Sequence, residues 1–277
     1  MKEITGIFSG LEGIRLFWKS FRPSHEKVKA AVILMHGGNN YCDMSAYRNL
    51  AQKLVKENFV VYTYDQRGFG RSEGLRMHMG KWANVRGDMA AFLHLVRAKE
   101  PNVKIFAVGM SFGALQTLDQ AIVSPHLLDG IVLMSISTVA IDIPTYAHTL
   151  INVLGKVMPK IKLPAGVHES FHGAKAKMEK KDLWADPLCP AYMTVGNVRE
   201  LMLRQNRIRK ELKFLTIPVL HMQGGQDTVA FVDKTLLKRT SSRDRTYQYY
   251  PNATHDMLEE DSVGEDIVLW LNKRVST

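Results

Sequence analysis

The stretch "KIFAVGMSFGALQ", residues 104–116, decides the fold. An apolar run from Lys104 to Met110 ends at a single serine held between Gly109 and Gly113, and a helical pattern begins at Phe112. Passing from strand to helix through one polar residue requires a sharp turn, which small neighbours permit. G-x-S-x-G in that setting is the pattern of a nucleophile elbow, where a serine hydroxyl is presented on a strained strand-to-helix turn. A plain glycine turn with Ser111 capping the helix would give the same letters. The rest of the chain has to separate the two readings.

Outward from this stretch, short β-branched runs alternate with longer helical patterns. "AVILMHG" (Ala31–Gly37), "FVVYTYD" (Phe59–Asp65), "KIFAVGM" (Lys104–Met110), "GIVLMSI" (Gly130–Ile136) and "IPVLHMQG" (Ile217–Gly224) read as strands. Each is almost continuously apolar, as a parallel sheet covered on both faces requires. Helices are predicted over Met44–Glu57, Lys81–Lys99 and Phe112–Ser124. The alternation predicts an α/β fold with a mostly parallel central sheet flanked by helices. The opening "ITGIFSGLEGIRLFWKSF" reads as an antiparallel hairpin on the sheet edge.

The rhythm stops after Ile136, and no strand-like run appears between Thr138 and Phe214. Within that interval "PTYAHTLINVLGKVM" sets Tyr146, Leu150, Val153, Leu154 and Val157 at helical spacing, with Pro159 as the stop. The expected organisation is a core of residues 1–137 and 215–277 interrupted by a helical cap over 138–214.

A serine hydroxyl attacks poorly at neutral pH unless a base takes its proton and a third group orients that base. In this topology the partners follow in the order serine, acid, histidine. "HMQGGQDTV" leads from a strand into a loop holding Asp227, and "YQYYPNATHDMLEE" delivers His255 after another. Both positions fall just past strand C-termini, where open α/β sheets place their sites. Alone, Asp227 reads as a loop residue or cap and His255 as a surface histidine; with Ser111, their order makes a triad. His221, inside a strand, reads as a satisfied core residue. "MHGGNN" follows the first long strand, so the backbone N–H groups of Gly38 and Phe112 are the candidate oxyanion donors.

Composition narrows the partners. A chain of 277 residues, 45% hydrophobic and 23% charged, is an ordinary globular protein able to bury a large core. Cys42 and Cys189 stand in no metal-ligand spacing and read as free thiols of a reducing compartment. No signal-peptide h-region and no run of about 18 apolar residues is found, so a cytoplasmic location is expected. The net charge of +10 favours an anionic partner, either nucleic acid or an acidic membrane surface. No zinc-finger spacing or RNP-like aromatic motif accompanies it, which speaks against nucleic acid. Residues 138–214 hold 13 Lys and Arg against 7 Asp and Glu, in "KVMPKIK", "KAKMEKK" and "RQNRIRKELK". A basic cap, with Lys160, Lys162 and Lys177 among its charges, is therefore expected to make peripheral contact with anionic membrane.

Taken together, "HGG" (36–38), "YDQRGFGRSEG" (64–74), "GMSFG" (109–113), "MPKIKLP" (158–164), "DPLC" (186–189), "GGQDTV" (224–229) and "THDMLEE" (254–260) cover nearly the whole chain. In this combination the chain resembles α/β-hydrolases of the monoglyceride lipase and lysophospholipase group, described also as the serine aminopeptidase S33-type domain. The resemblance implies an α/β-hydrolase core, a cap over the site, and Ser111, Asp227 and His255 as the triad. It implies hydrolysis of monoacylglycerol or lysophospholipid esters without metal or organic cofactor. It also implies an apolar acyl tunnel, for which Tyr146, Leu150, Leu154, Val157 and Met158 are the candidate lining. Asp65, Gly68, Gly70 and Ser72 match a family loop read here as structural. The chain departs from the family at Met110, Phe112 and Ala114 around the nucleophile and in H-G-G-N at the oxyanion loop; the bulky Phe112 is expected to narrow the pocket. The rival readings are a carboxylesterase for small soluble esters or amides, and a hydrolase-fold binding protein. Binding proteins on this fold tend to lose triad members, and all three are present.

Overall fold

A computed structural model describes residues 1–24, 27–138, 144–164, 186–188, 190, 192–230 and 233–275. The strands run Lys2–Ser9 (β1), Arg15–Arg22 (β2), Ala30–Met35 (β3), Val60–Tyr64 (β4), Lys104–Met110 (β5), Gly130–Met134 (β6), Lys162–Pro164 (β7), Tyr192–Thr194 (β8), Val219–Gly224 (β9) and Arg245–Tyr250 (β10). Eight of them form one sheet in the order β1-β2-β4-β3-β5-β6-β9-β10. β1 and β2 make the expected antiparallel hairpin, β2 joins β4 antiparallel, and every pairing from β4 to β10 is parallel.

The helices are Ser45–Lys56 (α1), Trp82–Lys99 (α2), Phe112–Val123 (α3), Thr145–Val157 (α4), Val195–Glu211 (α5) and Asp261–Val275 (α6). They divide the core between the two sheet faces. On one face Phe92, Leu93, Val96, Leu115 and Leu118 pack on Ile33, Ile105 and Ile131. On the other, Leu50, Leu54, Ile267 and Trp270 pack on Val32, Phe106 and Val132. Every residue of β3, β4, β6 and β9 is buried, which is why their apolar runs show no alternation.

Between β6 and β9 the chain departs from expectation in one respect. β7 and β8 pair antiparallel as a separate two-stranded ribbon, where no strand was predicted. Three residues are too few to carry a readable period of two. α4 packs closely against α5 at Gly155, where a Cβ would lie 2.8 Å from the Arg199 side chain.

The first half of α5 is fastened to the core. Asn197 Nδ2 donates to Met77 O at 2.7 Å while its Oδ1 accepts from Met79 N–H at 2.8 Å. Glu200 accepts from Trp82 N–H at 2.9 Å. Arg204 is buried in an ion pair with Asp119 of α3, whose carboxylate also takes Trp82 Nε1–H at 2.9 Å and Arg86 Nε–H at 2.7 Å.

The loop after β4 behaves as a structural element. Asp65 accepts the N–H groups of Cys42 and Arg71, each at 2.8 Å. Ser72 Oγ accepts Phe17 N–H at 2.9 Å and donates to Asp65 O. Gly68 and Gly70 take positive φ values of 78° and 49° within it. No helix among the described residues is long and apolar enough to cross a membrane.

Candidate active site

Ser111 sits between β5 and α3 with φ 53° and ψ −114°, a backbone conformation that costs free energy for any residue bearing a Cβ. Its side chain makes no capping bond to α3, so the plain capping reading of the serine fails. The two glycines are sterically required. A Cβ at Gly109 would stand 2.5 Å from Gly113 O, and one at Gly113 would stand 2.6 Å from His36 O. Ser111 N–H donates to Met134 O at 2.9 Å, which ties the turn to the end of β6.

The loops after β9 and β10 bring Asp227 and His255 together. His255 Nδ1 lies 2.9 Å and 3.0 Å from the two Asp227 carboxylate oxygens. Close backbone approach makes this possible: a Cβ at Gly224 would meet Ala253 O and Thr254 O at 2.6 Å each. The carboxylate is further held by the N–H groups of Val229 and Ala230, both at 2.8 Å, and by Gln223 Nε2–H at 3.3 Å. Burial pushes the Asp227 pKa up, but the hydrogen bond and charge of His255 with these N–H groups outweigh it and hold the carboxyl below its usual range. Asp233, the other carboxylate in the region, is committed to Thr235, Thr138 and Arg239. Facing His255, an ionised Asp227 puts the imidazole proton on Nδ1 and leaves Nε2 basic.

The oxyanion loop is ordered by groups that no motif announced. Tyr47 Oη accepts Gly37 N–H at 2.9 Å, which leaves Gly38 N–H as the donor candidate on this loop. A Cβ at Gly38 would lie 3.8 Å from Phe112 Cβ, so the two predicted donors are neighbours. His36 is fully buried; its Nε2 accepts Gln66 N–H at 3.1 Å, so its Nδ1–H donates to Gly37 O at 2.9 Å. Burial lowers its pKa, which keeps it neutral. Gln66 Nε2–H holds His36 O at 2.7 Å, and Gln116 of α3 donates to Gln66 Oε1. The oxyanion loop and the nucleophile helix are thus linked by amide side chains with no sequence signature.

Three expectations are corrected. Phe112 does not intrude on the open side of the elbow: its buried ring packs on Trp82 and Phe69, centroids 5.9 Å and 6.2 Å away. The proposed tunnel residues do not enclose a tunnel. Tyr146 (76% exposed), Leu150 and Val157 (71%) are exposed on α4, Met158 is exposed just past its end, and Leu154 is half-buried. Helical periodicity marks an apolar face but not what covers it. Last, the cluster "RQNRIRKELK" is not exposed as a whole, although Arg207, Arg209, Lys210 and Lys213 are. Arg204 is buried, and Lys213 O accepts Ser241 Oγ–H at 2.6 Å near the start of β10, the opposite end of the sheet from His255. Lys160 and Lys162 are exposed beyond α4, while Lys177 lies outside the described residues.

His221 is buried in β9 as expected, but its ring nitrogens make no hydrogen bond of ordinary geometry; the ring packs against Tyr247 at 5.2 Å. Burial depresses its pKa to about 4. Between the unfolded value of roughly 6.5 and that figure the unfolded chain binds the extra proton, so stability falls as pH falls. Urea midpoints measured from pH 7 to pH 4 should therefore decline less steeply in His221→Leu than in the wild type; parallel declines would discard this assignment.

The family model for serine aminopeptidase, S33, matches residues 26–262. The chain belongs to this α/β-hydrolase family. Monoglyceride lipase of Rattus norvegicus is 28% identical, covering 96% of this chain and 89% of its own. Caffeoylshikimate esterase of Arabidopsis thaliana is 26% identical over 94% of this chain and 83% of its own. A soluble variant of monoglyceride lipase from Saccharomyces cerevisiae, solved with a substrate analog, superposes with a TM-score of 0.84. That structure is 22% identical, with 98% of this chain and 96% of the other covered. This S33-family chain is a carboxylic ester hydrolase of the monoglyceride lipase group.

Proposed function

We propose that this hydrolase cleaves the ester bond of a monoacylglycerol or similar monoacyl lipid through Ser111, His255 and Asp227. The observations that support the mechanism are the strained turn at Ser111 and a His255 whose Nδ1 is held by both Asp227 oxygens. His255 Nε2 takes the proton of Ser111 Oγ as the oxygen attacks the acyl carbon. The N–H groups of Gly38 and Phe112 stabilise the oxyanion. His255 then protonates the departing glycerol oxygen, leaving the acyl group on Ser111. In the second half His255 activates water, which releases the fatty acid and restores the serine. No metal or organic cofactor is required. The lipid assignment draws on the monoglyceride lipase relatives.

The outer face of α4 supports a membrane-borne substrate. Tyr146, Leu150, Val153, Val157 and Met158 form an exposed apolar stripe, with Lys156, Lys160 and Lys162 exposed at its end. An apolar stripe bordered by cations suits the boundary of an anionic lipid surface, where each basic group contributes about 1 kcal/mol. The stripe would enter the headgroup layer and the triad would collect its substrate there.

One experiment tests both parts. Monoacylglycerols of increasing chain length, lysophospholipids, triacylglycerol and short soluble esters are compared as substrates, with the lipids presented in anionic or neutral vesicles. Medium and long monoacyl chains are expected to be preferred, triacylglycerol to be poor, and anionic vesicles to be favoured in a salt-sensitive way. Leu150→Ser with Val157→Ser should lower turnover on vesicles and spare short soluble esters. A flat or reversed chain-length profile would make the enzyme a small-ester carboxylesterase.

A further inference from the structure

Ser135 is absent from every step above, yet it stands at the junction of all three catalytic loops. β6 ends at Met134, and the chain turns left-handed at Ser135, with φ 48°. The residue is fully buried. Its N–H donates to Met222 O of β9 at 3.1 Å, and its Oγ–H donates to the carbonyl oxygen of His255 at 2.7 Å. The carbonyl immediately before it, Met134 O, receives the N–H of Ser111 at 2.9 Å. Two consecutive residues therefore hold the nucleophile turn, the strand that leads to Asp227, and the backbone of His255.

The chemistry at this position is selective. A left-handed turn is served with less strain by glycine, which lacks the Cβ. Glycine also lacks the hydroxyl, and here the hydroxyl bonds the main chain of the base itself. His255 O receives a second bond, from Met257 N–H at 3.0 Å, but that one lies within the same loop and fixes nothing relative to the sheet. The Ser135 bond is long-range, crossing 120 residues of chain. Asp227 holds the far end of the imidazole, at Nδ1. A ring anchored only there could swing about that contact, carrying Nε2 away from the nucleophile.

We propose that Ser135 is a positioning residue for His255: its hydroxyl clamps the His255 carbonyl to β6 so that Nε2 stays aligned with Ser111. The proposal rests on the triad reading of the site. Misplacement of a reacting group by an ångström can cost on the order of 100-fold in rate. Ser135→Gly, which keeps the turn and removes the hydroxyl, is therefore expected to lose roughly 10- to 100-fold in kcat.

The test measures kcat, KM and Tm for Ser135→Gly and Ser135→Ala, with rates expressed per site titrated by fluorophosphonate. The expected result is a fall in kcat with KM within about twofold of wild type. A wild-type kcat per titrated site would overturn the proposal, whatever happens to Tm. Loss of the fold in both variants would make Ser135 structural and overturn it equally. Ser111→Ala run in parallel keeps the two readings apart. If that variant stays active the triad reading itself is wrong; if it is dead while both Ser135 variants work normally, only the positioning role falls.

Discussion

Ser111→Ala is expected to lower turnover on the order of 10⁶-fold and to abolish covalent labelling by a fluorophosphonate, with the fold intact. The fold should survive because the strain at φ 53° belongs to any residue with a Cβ, and alanine has the same Cβ as serine. No cap is lost either, since the Ser111 side chain makes none to α3. What is removed is the oxygen alone. Circular dichroism and Tm matching wild type, together with absent labelling, would isolate the loss to chemistry. Labelling that persists in the alanine variant would place the nucleophile elsewhere and defeat the mechanism.

Asp227→Asn should depress kcat by about 10⁴ while leaving the loop in place. Asparagine keeps a carbonyl oxygen for the N–H groups of Val229 and Ala230, which now bond Asp227 Oδ1 at 2.8 Å. Its amide nitrogen would then face His255 Nδ1 as a donor. That contact selects the tautomer with the proton on Nε2, the wrong end for taking a proton from Ser111. It also withdraws the negative charge that supports the imidazolium. The wild-type carboxyl is held below its usual pKa range, so Asp227 remains ionised throughout the neutral region. A loss of less than about tenfold would contradict the assignment of the acid. Asp233 could not readily replace it, being engaged with Thr235, Thr138 and Arg239.

Local order was legible wherever burial was two-sided or a motif forced the backbone. The runs at 104–110 and 130–134 announced parallel strands because both faces of each are covered. Gly109 and Gly113 announced the elbow because nothing larger fits against Gly113 O and His36 O. The positions of Ser111, Asp227 and His255 past the ends of three strands were readable because those strands run parallel in one sheet.

Elsewhere the residue types were silent. Nothing about Ser135, Tyr47, Gln66 or Gln116 marks them in the sequence, since each acts through hydrogen bonds to backbone or amide groups outside its own element. The apolar stripe of α4 was visible as a period of 3.6, but its direction was not: Tyr146 and Val157 face outward, while Gly155 takes the close contact with α5. Charge misled in the same way, counting Arg204 as surface when it is buried against Asp119. The sequence by itself determined the strands and the elbow, because backbone sterics and two-sided burial act on neighbouring residues. Only the tertiary structure decided which faces are open, which charges are spent inside, and which groups bond His255, because those depend on contacts between segments far apart in the chain.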